Sequence, residues 1–293
     1  MKATNWKFAM SSRADRETLE AKAKAGVQAI EVSLGKGMYP SLDFGKLKND
    51  CADVGLELWS FHLPFSPFSE MNPASTNADL REYTVHIFSH YIKKAADIGC
   101  KVITIHPSGE PIPAEDRAEQ MKCSKDSLFK LGEVAERCGV RLAVEDIPRT
   151  CLGNCSSEIL ELISVHKNLG VCFDTNHLLQ QKNVDFIKEC GKHIITTHVS
   201  DYDFLNERHW MPFEGKNDWA ALVTALEEAD YNGPFLFELG LEAPDEMKRS
   251  RELTYDDFAK VYHACVNKQT LEPIGKPDPE LIYNKVFTKV PLI

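Results

Sequence analysis

Apolar runs of strand length alternate with longer stretches of helical periodicity along almost the whole chain. The strand-like runs lie at residues 6–11, 29–34, 56–63, 102–106, 141–146, 170–174, 194–199 and 235–239. The helix-like stretches lie near 14–25, 43–54, 79–98, 114–138, 157–167, 183–192, 217–230 and 254–267. Gly26, Gly55, Gly99 and Gly139 each close a helical pattern just before a strand. Glycine is common there because it tolerates the left-handed conformation at a helix C-terminus. This alternation predicts an α/β fold, a (β/α)8 TIM barrel of eight parallel strands. An open doubly wound sheet is the alternative, but no Gly-x-Gly-x-x-Gly follows the first strand to support it.

A chain of 293 residues is a normal length for one such barrel. A hydrophobic fraction of 43% is enough for a sizeable core, and no long single-sign block suggests disorder. The sequence therefore divides into one barrel domain, residues 1–268, and an extension, 269–293. The extension is Pro-rich and reads as irregular, packing on the barrel exterior or on a partner subunit. A homodimer is the default expectation. The net charge of −10 argues against a dedicated nucleic-acid binder, whose affinity comes largely from neutralising phosphates. The first residues hold no apolar run of signal-peptide type, and no stretch approaches a membrane span. The nine cysteines are scattered and odd in number, which reads as reduced thiols in a cytoplasmic protein.

Ionisable residues cluster at the ends of the later strands. Glu145 lies in LAVEDIP, Asp174 in VCFDTNH, His198 in IITTHVSD and Glu238 in FLFELG. Charge is costly at the end of a buried strand unless it is paired or bound to a cation. A closed parallel barrel brings all its strand ends to one face, so these four groups are expected to meet. Three carboxylates and an imidazole suit one divalent metal ion such as Mn, Zn, Co or Mg. His62, His106 and His177 occupy corresponding positions, and His209 lies in the long loop after the seventh strand. Arg208 is a candidate for holding a substrate oxygen through its planar fork. Glu31 either holds substrate or pairs with a neighbouring cation. Trp6, Trp59, Phe65, Phe68 and Trp210 are candidates for an apolar wall, and Asp201 or Asp203 for orienting a ligand histidine.

The ordered set HLPFSP (62–67), IHPSGEP (105–111), VEDIP (144–148), FDTNH (173–177), THVSDYD (197–203), ERHWMPFEGKNDW (207–219) and FELG (237–240) resembles the xylose isomerase-like barrel superfamily. That superfamily holds sugar-phosphate isomerases and epimerases and, more distantly, endonuclease IV. The resemblance implies that Glu145, Asp174, His198 and Glu238 bind one metal ion. It implies that His62 and His177 hold substrate hydroxyl groups, that His209 lies near metal or substrate, and that Glu145 and Glu238 move protons on opposite faces of the substrate. His62, His106, His177 and His209 would line the site.

The implied chemistry is proton abstraction next to a carbonyl, with the metal stabilising the enediolate and a carboxylate acting as base. Returning the proton to the neighbouring carbon gives an isomerase; returning it from the opposite face gives an epimerase. Loss of a β-hydroxyl would instead give a polyol or keto-acid dehydratase. Endonuclease IV-like repair of abasic DNA is the sharpest rival. Its multi-zinc ligands match His62, His106, Glu145, Asp174, His177, His198, His209 and Glu238, but Glu207 stands where repair enzymes carry aspartate. The loops after the strands also hold no concentration of Lys and Arg for a DNA backbone. A catalytically dead barrel serving as a scaffold is disfavoured by the cost of an unneeded buried charge cluster. The expected activity is a metal-dependent sugar isomerase or epimerase with a small sugar or polyol as partner. No Gly-rich phosphate cradle is visible, which favours a substrate without phosphate.

Overall fold

The protein is described by a computed structural model covering residues 5–286. Eight strands form one parallel sheet: β1 (Phe8–Ser12), β2 (Ala29–Val32), β3 (Glu57–His62), β4 (Val102–Ile105), β5 (Arg141–Glu145), β6 (Leu169–Asp174), β7 (Ile194–His198) and β8 (Phe235–Phe237). Their order is β7-β6-β5-β4-β3-β2-β1-β8. The sheet closes where Val199 N–H donates to the Leu236 carbonyl at 2.8 Å and Glu238 N–H donates to the Val199 carbonyl at 3.1 Å. The result is the expected (β/α)8 barrel. The strands read as continuous apolar runs because helices cover their outer faces and side chains fill the inside.

Each strand is followed by a helix. These are α1 (Arg16–Lys24), α2 (Phe44–Val54), α3 (Ala78–Asp97), α4 (Arg117–Cys138), α5 (Ser156–Ile163), α6 (Asn183–Cys190), α7 (Trp219–Glu228) and α8 (Tyr255–Val266). Several loops end in a residue that caps the next helix. The side chains of Asp15, Asp43, Asn77 and Asp218 accept backbone N–H groups from the first turns of α1, α2, α3 and α7. Such a cap satisfies a donor that the helix itself leaves open. At the other end, Gly55 and Gly139 take φ of 75° and 73°, the left-handed stop expected of them. Among the described residues, no helix is long and apolar enough to cross a membrane.

The extension departs from the irregular tail expected. It contributes β10 (Gly275–Pro277), antiparallel to β9 (Met247–Arg249), and then α9 (Pro279–Val286). Both strands are three residues long and carry charges, so neither shows an apolar alternation in sequence. Leu271 and Ile274 pack against the hydrophobic core, and Lys248 Nζ lies 2.6 Å from Asp278 Oδ2. Residues 287–293 of the extension lie outside the described residues.

Trp59 fills the barrel below the strand C-terminal ends. Its ring packs on Ala9, Ala29 and Leu236 on one side and on Val102, Ala143 and Cys172 on the other. Its indole N–H donates to Thr196 Oγ1 at 3.2 Å. It thus touches strands on every side of the barrel. Trp59→Ala should destabilise the fold by about 2 kcal/mol, less than a fully buried aromatic would, because Trp59 is only half-buried. Urea unfolding followed by far-UV circular dichroism would measure this; a loss below about 1 kcal/mol would mean that the barrel does not depend on this residue.

Candidate metal centre and active site

Four strand ends deliver the central groups. Glu145 ends β5, Asp174 ends β6, His198 ends β7, and Glu238 directly follows β8. One ligand atom from each lies within 4.8 Å of the others. His198 Nδ1 is 3.0 Å from Glu145 Oε1, 3.1 Å from Glu238 Oε2 and 3.9 Å from Asp174 Oδ2. The other imidazole nitrogen, Nε2, donates to Glu31 Oε1 at 2.7 Å. Glu31 Oε2 accepts from Ser60 Oγ at 2.8 Å and from Thr104 Oγ1 at 2.7 Å. Despite its burial, the surrounding acids hold His198 well above its ordinary value in the cation-free protein, so Nδ1–H faces Glu145 and Glu238 as a donor; with the Nε2 proton kept by Glu31, a bound cation would take the place of the Nδ1 proton.

One oxygen in this cluster has no partner. Asp174 Oδ1 accepts the Asn176 N–H at 2.7 Å, while its Oδ2 is buried without a hydrogen bond among the described residues. Burial first, then repulsion from Glu238 and Glu145, pushes the Asp174 carboxyl up to about 7. A divalent cation satisfies this arrangement: it supplies the orphaned oxygen with a ligand bond and removes the repulsion. Three oxygens and one nitrogen suit Mn, Zn, Co or Mg. The residues present therefore fit such an ion.

The other histidines surround this centre in a common way. The Nδ1–H groups of His62, His177 and His209 donate to the backbone carbonyls of Leu63, Asp146 and Glu238 at 2.7, 2.7 and 3.1 Å. Each ring is thereby aimed, Nε2 first, at a carboxylate. His62 Nε2 and His106 Nε2 lie 3.2 and 3.3 Å from Glu145 Oε2. His209 Nε2 and His177 Nε2 lie 2.9 and 3.8 Å from Glu207 Oε1. The trios His62–His106–Glu145, His177–Glu207–His209 and Glu145–Cys172–His198 are each tight enough to share a cation.

The FDTNH segment after β6 ties the neighbouring loops to this frame. Asp174 N–H donates to Asp146 Oδ1 at 2.8 Å, and Thr175 Oγ1 to the Ser200 carbonyl at 2.6 Å. Asn176 Oδ1 accepts the N–H groups of Arg208 and His209 at 2.8 and 3.2 Å. That grip holds His209 at φ of 53°, a left-handed backbone unusual for a residue with a side chain.

Several expected roles fall elsewhere. Arg208 is buried and turned from the cavity; its guanidinium donates to Asp203 Oδ2 from Nε at 3.0 Å and faces Glu246. Asp203 therefore serves Arg208. Asp201 accepts from the N–H groups of Tyr202, Phe213 and Asn217 and from Trp219 Nε1 at 2.9, 2.9, 3.1 and 3.0 Å. It pins the loop before α7 and orients no histidine, a role that belongs to Glu31. Gly215 has to be glycine there, since a Cβ would lie 2.3 Å from Asp201 Oδ1. Trp6 packs on Tyr231 and Phe235, Trp59 plugs the barrel, and Trp210 is buried beneath Arg208. Of the proposed aromatic wall, only Phe65 and Phe68 line the cavity.

The cavity over the centre measures about 150 Å³. Glu145, Glu238, His106, His177 and His209 line it, facing Phe65, Phe68, Ile147 and Pro148. Phe65 stacks on the His106 ring with centroids 4.6 Å apart. Arg149, which carried no sequence signal, and Glu110, within the IHPSGEP segment, also line it. Arg149 Nε donates to Glu110 Oε2 and its Nη1 to Glu207 Oε2, both at 2.9 Å. Its guanidinium is thus committed to acids already present.

Residues 19–256 match a protein family described as a xylose isomerase-like TIM barrel. An uncharacterised protein of Methanocaldococcus jannaschii is 29% identical over 216 residues, covering 71% of this chain and 73% of that one. The inosose isomerase of Bacillus subtilis is 27% identical over 164 residues, covering 50% of this chain and 59% of its own. Among solved structures, a D-tagatose 3-epimerase-like protein superposes with a TM-score of 0.74 at 24% identity, covering 96% of this chain and 99% of that one.

The imidazoles give the site a pH signature in cation-free protein. Desolvation pulls His62 and His209 down, but hydrogen bonds to Glu145 and Glu207 outweigh it and hold both up to about 9. A folded value above the ordinary 6.5 means that the fold favours the protonated form. The resulting stability is fully present below 6.5 and is lost as pH rises through about 9. Thermal unfolding in chelator should therefore show a midpoint that falls across this window. The fall should be shallower in the His62→Gln, His209→Gln double variant; equal slopes would contradict the assignment.

Proposed function

The chain belongs to the xylose isomerase-like TIM barrel family, and on that footing we propose that it is a divalent-metal-dependent sugar isomerase or epimerase. Its substrate is a small hydroxy-carbonyl sugar or sugar derivative, and its reaction is proton transfer through an enediolate. The observation that carries this reading is the meeting of Glu145, Asp174, His198 and Glu238 around one point, with a glutamate on each side of His198 Nδ1. The inosose isomerase and the D-tagatose 3-epimerase-like structure among its likenesses support it.

Glu145 and Glu238 have the state a base needs. Burial would raise both, but His198 with His106 holds Glu145 well below the usual carboxylate range, and His198 holds Glu238 at about 2. Both are ionised at neutral pH in the cation-free protein, the form in which a carboxylate can accept a proton from carbon. They arrive from β5 and β8, with β6 and β7 between them, so they approach a bound molecule from different directions. A proton returned by the first glutamate to the adjacent carbon gives an isomer; one delivered by the other gives an epimer. A divalent ion held by the four groups supplies Lewis-acid stabilisation of negative charge developing on adjacent substrate oxygens. His106, His177 and His209 face the same space and can hold hydroxyl groups, while Phe65, Phe68, Ile147 and Pro148 keep bulk water from the reacting carbon.

The two outer trios favour a second reading, a multi-metal centre for phosphodiester cleavage as in endonuclease IV. Against it, the acidic and apolar lining offers a DNA backbone no free cation in this cavity, because Arg149 is already paired.

Metal content per chain after purification without chelator separates the two readings. About one ion supports the isomerase or epimerase, and two or three support the nuclease. The activity test is deuterium uptake from heavy water beside the carbonyl of ketoses, aldoses and inosose-type ketones, read by NMR. Glu145→Gln and Glu238→Gln should each lower the rate at least about 100-fold, the usual worth of a positioned base. Full activity in both variants would remove them from proton transfer. Glu31→Gln should weaken metal binding about 10- to 100-fold while leaving the fold intact, as loss of an outer hydrogen-bond partner does. Unchanged affinity in a chelator titration would show that Glu31 does not set the His198 tautomer.

A further inference from the structure

The cavity over the metal centre continues into a second, larger space. This lobe measures about 620 Å³ and shares Phe65, His209 and Glu238 with the first. It opens between the loop after β1 and the loop after β8. Its walls include Ser11, Ser12, Arg13, Lys22, Ser33 and Tyr255. The combination is unlike the metal cavity, where the acids dominate. Here two cations and five hydroxyl-bearing residues, Thr18 among them, line the space, and Glu242 stands exposed at the rim.

Lys22 is the telling residue. It sits inside α1 with only 4% of its surface exposed. Its ammonium donates to the Ser11 carbonyl and lies 5.7 Å from the centre of the Tyr255 ring. It forms no ion pair with any described carboxylate; Asp15, whose charge acts on it, is the exposed cap of α1. An ammonium offers three donors, and the backbone takes one. A buried, unpaired lysine is costly unless an anion completes it. Arg13, on the rim of the same lobe, likewise forms no ion pair among the described residues. Burial brings the Lys22 ammonium down to about 7, with Asp15 offsetting it only in part.

We propose that this lobe receives an anionic group, a phosphate or a carboxylate, carried on the end of the substrate remote from the reacting carbons. The proposal rests on the sugar isomerase or epimerase reading for the rest of the molecule. It replaces the expectation of an uncharged sugar with a sugar phosphate or a sugar acid. The first cavity, at about 150 Å³, is below the roughly 300–1,000 Å³ of ordinary ligand pockets, so it suits only the reacting end. The lobe provides room for the remainder, and its cations line the same space as Glu238 and His209.

Binding is tested apart from catalysis, by calorimetric titration of the metal-loaded protein with inorganic phosphate, glycerol 3-phosphate and glycerate, with glycerol as the neutral control. Saturable binding of an anion, absent for glycerol, is expected. Phosphate or glycerate as the tighter probe identifies the source as a sugar phosphate or a sugar acid. Lys22→Met should weaken it about tenfold or more, as loss of a charged hydrogen bond does, and Arg13→Gln a few-fold. Arg13 is exposed, so its variant decides the matter if Lys22→Met fails to fold. No saturable anion binding overturns the proposal. So does binding equally strong in both variants, which would put the anion on the metal. Anion binding in the lobe without deuterium uptake by any sugar would sink the isomerase reading and leave the lobe's assignment standing.

Discussion

Three carboxylates crowded at the buried mouth of a barrel repel one another, and the surrounding structure is arranged to make that tolerable. Glu145, Asp174 and Glu238 meet where water is scarce, and an isolated charge in such a place is costly. His198 lies between them and answers two of the three directly. Glu31 holds that imidazole from below, and Ser60 and Thr104 hold Glu31 in turn. The chain of contacts runs from the barrel wall to the reacting centre without an exposed link. One carboxylate oxygen, Asp174 Oδ2, is still left over. A negative cluster held this closely, with one oxygen left unanswered, fits a cation.

The frame that delivers these groups is stiff for identifiable reasons. FDTNH bonds forward and backward to the loops on both sides of β6. Asp201 gathers the loop before α7, the buried pair of Arg208 with Asp203 braces that loop internally, and the buried pair of Arg249 with Glu214 binds it to β9. Arginine suits these places because its planar fork meets a carboxylate at two points. Arg249 does so, with Nε and Nη2 at 2.9 and 2.7 Å from the two Glu214 oxygens. The mouth is thus shaped before any ligand arrives, as the proposed action of Glu145 and Glu238 on a small molecule would require.

The barrel was legible in the sequence because its signals are local and repeated. The eight apolar runs, the helical stretches and the glycine stops each depend on a few adjacent residues. The central quartet was legible because ionisable residues at buried strand ends stand out against apolar neighbours. What could not be read depends on side-chain direction or on distant partners. Arg208 and Arg149 are both loop arginines; only the fold shows that one is buried away from the cavity and the other lines it. Glu31 lies in an apolar run like Glu145, yet it sits one layer lower and meets His198 from beneath. Aromatic residues gave the weakest guide, since Trp6, Trp59 and Trp210 each pack in a different part of the molecule. The short β9 and β10 carry no alternation to read.

Glu145 belongs to three of the four cation-sized groups, whereas His177, Glu207 and His209 form a group without it. This asymmetry bears on how such a barrel can change over generations. A substitution at Glu145 would dismantle the three groups that contain it at once and is closed to gradual drift. The His177–Glu207–His209 trio can gain or lose a cation while the central quartet keeps all its own residues. A lineage can therefore trial a second ion at the margin of a working enzyme and discard it without first losing the original activity. Branches with one ion and branches with several can descend from a common ancestor by steps at this trio alone.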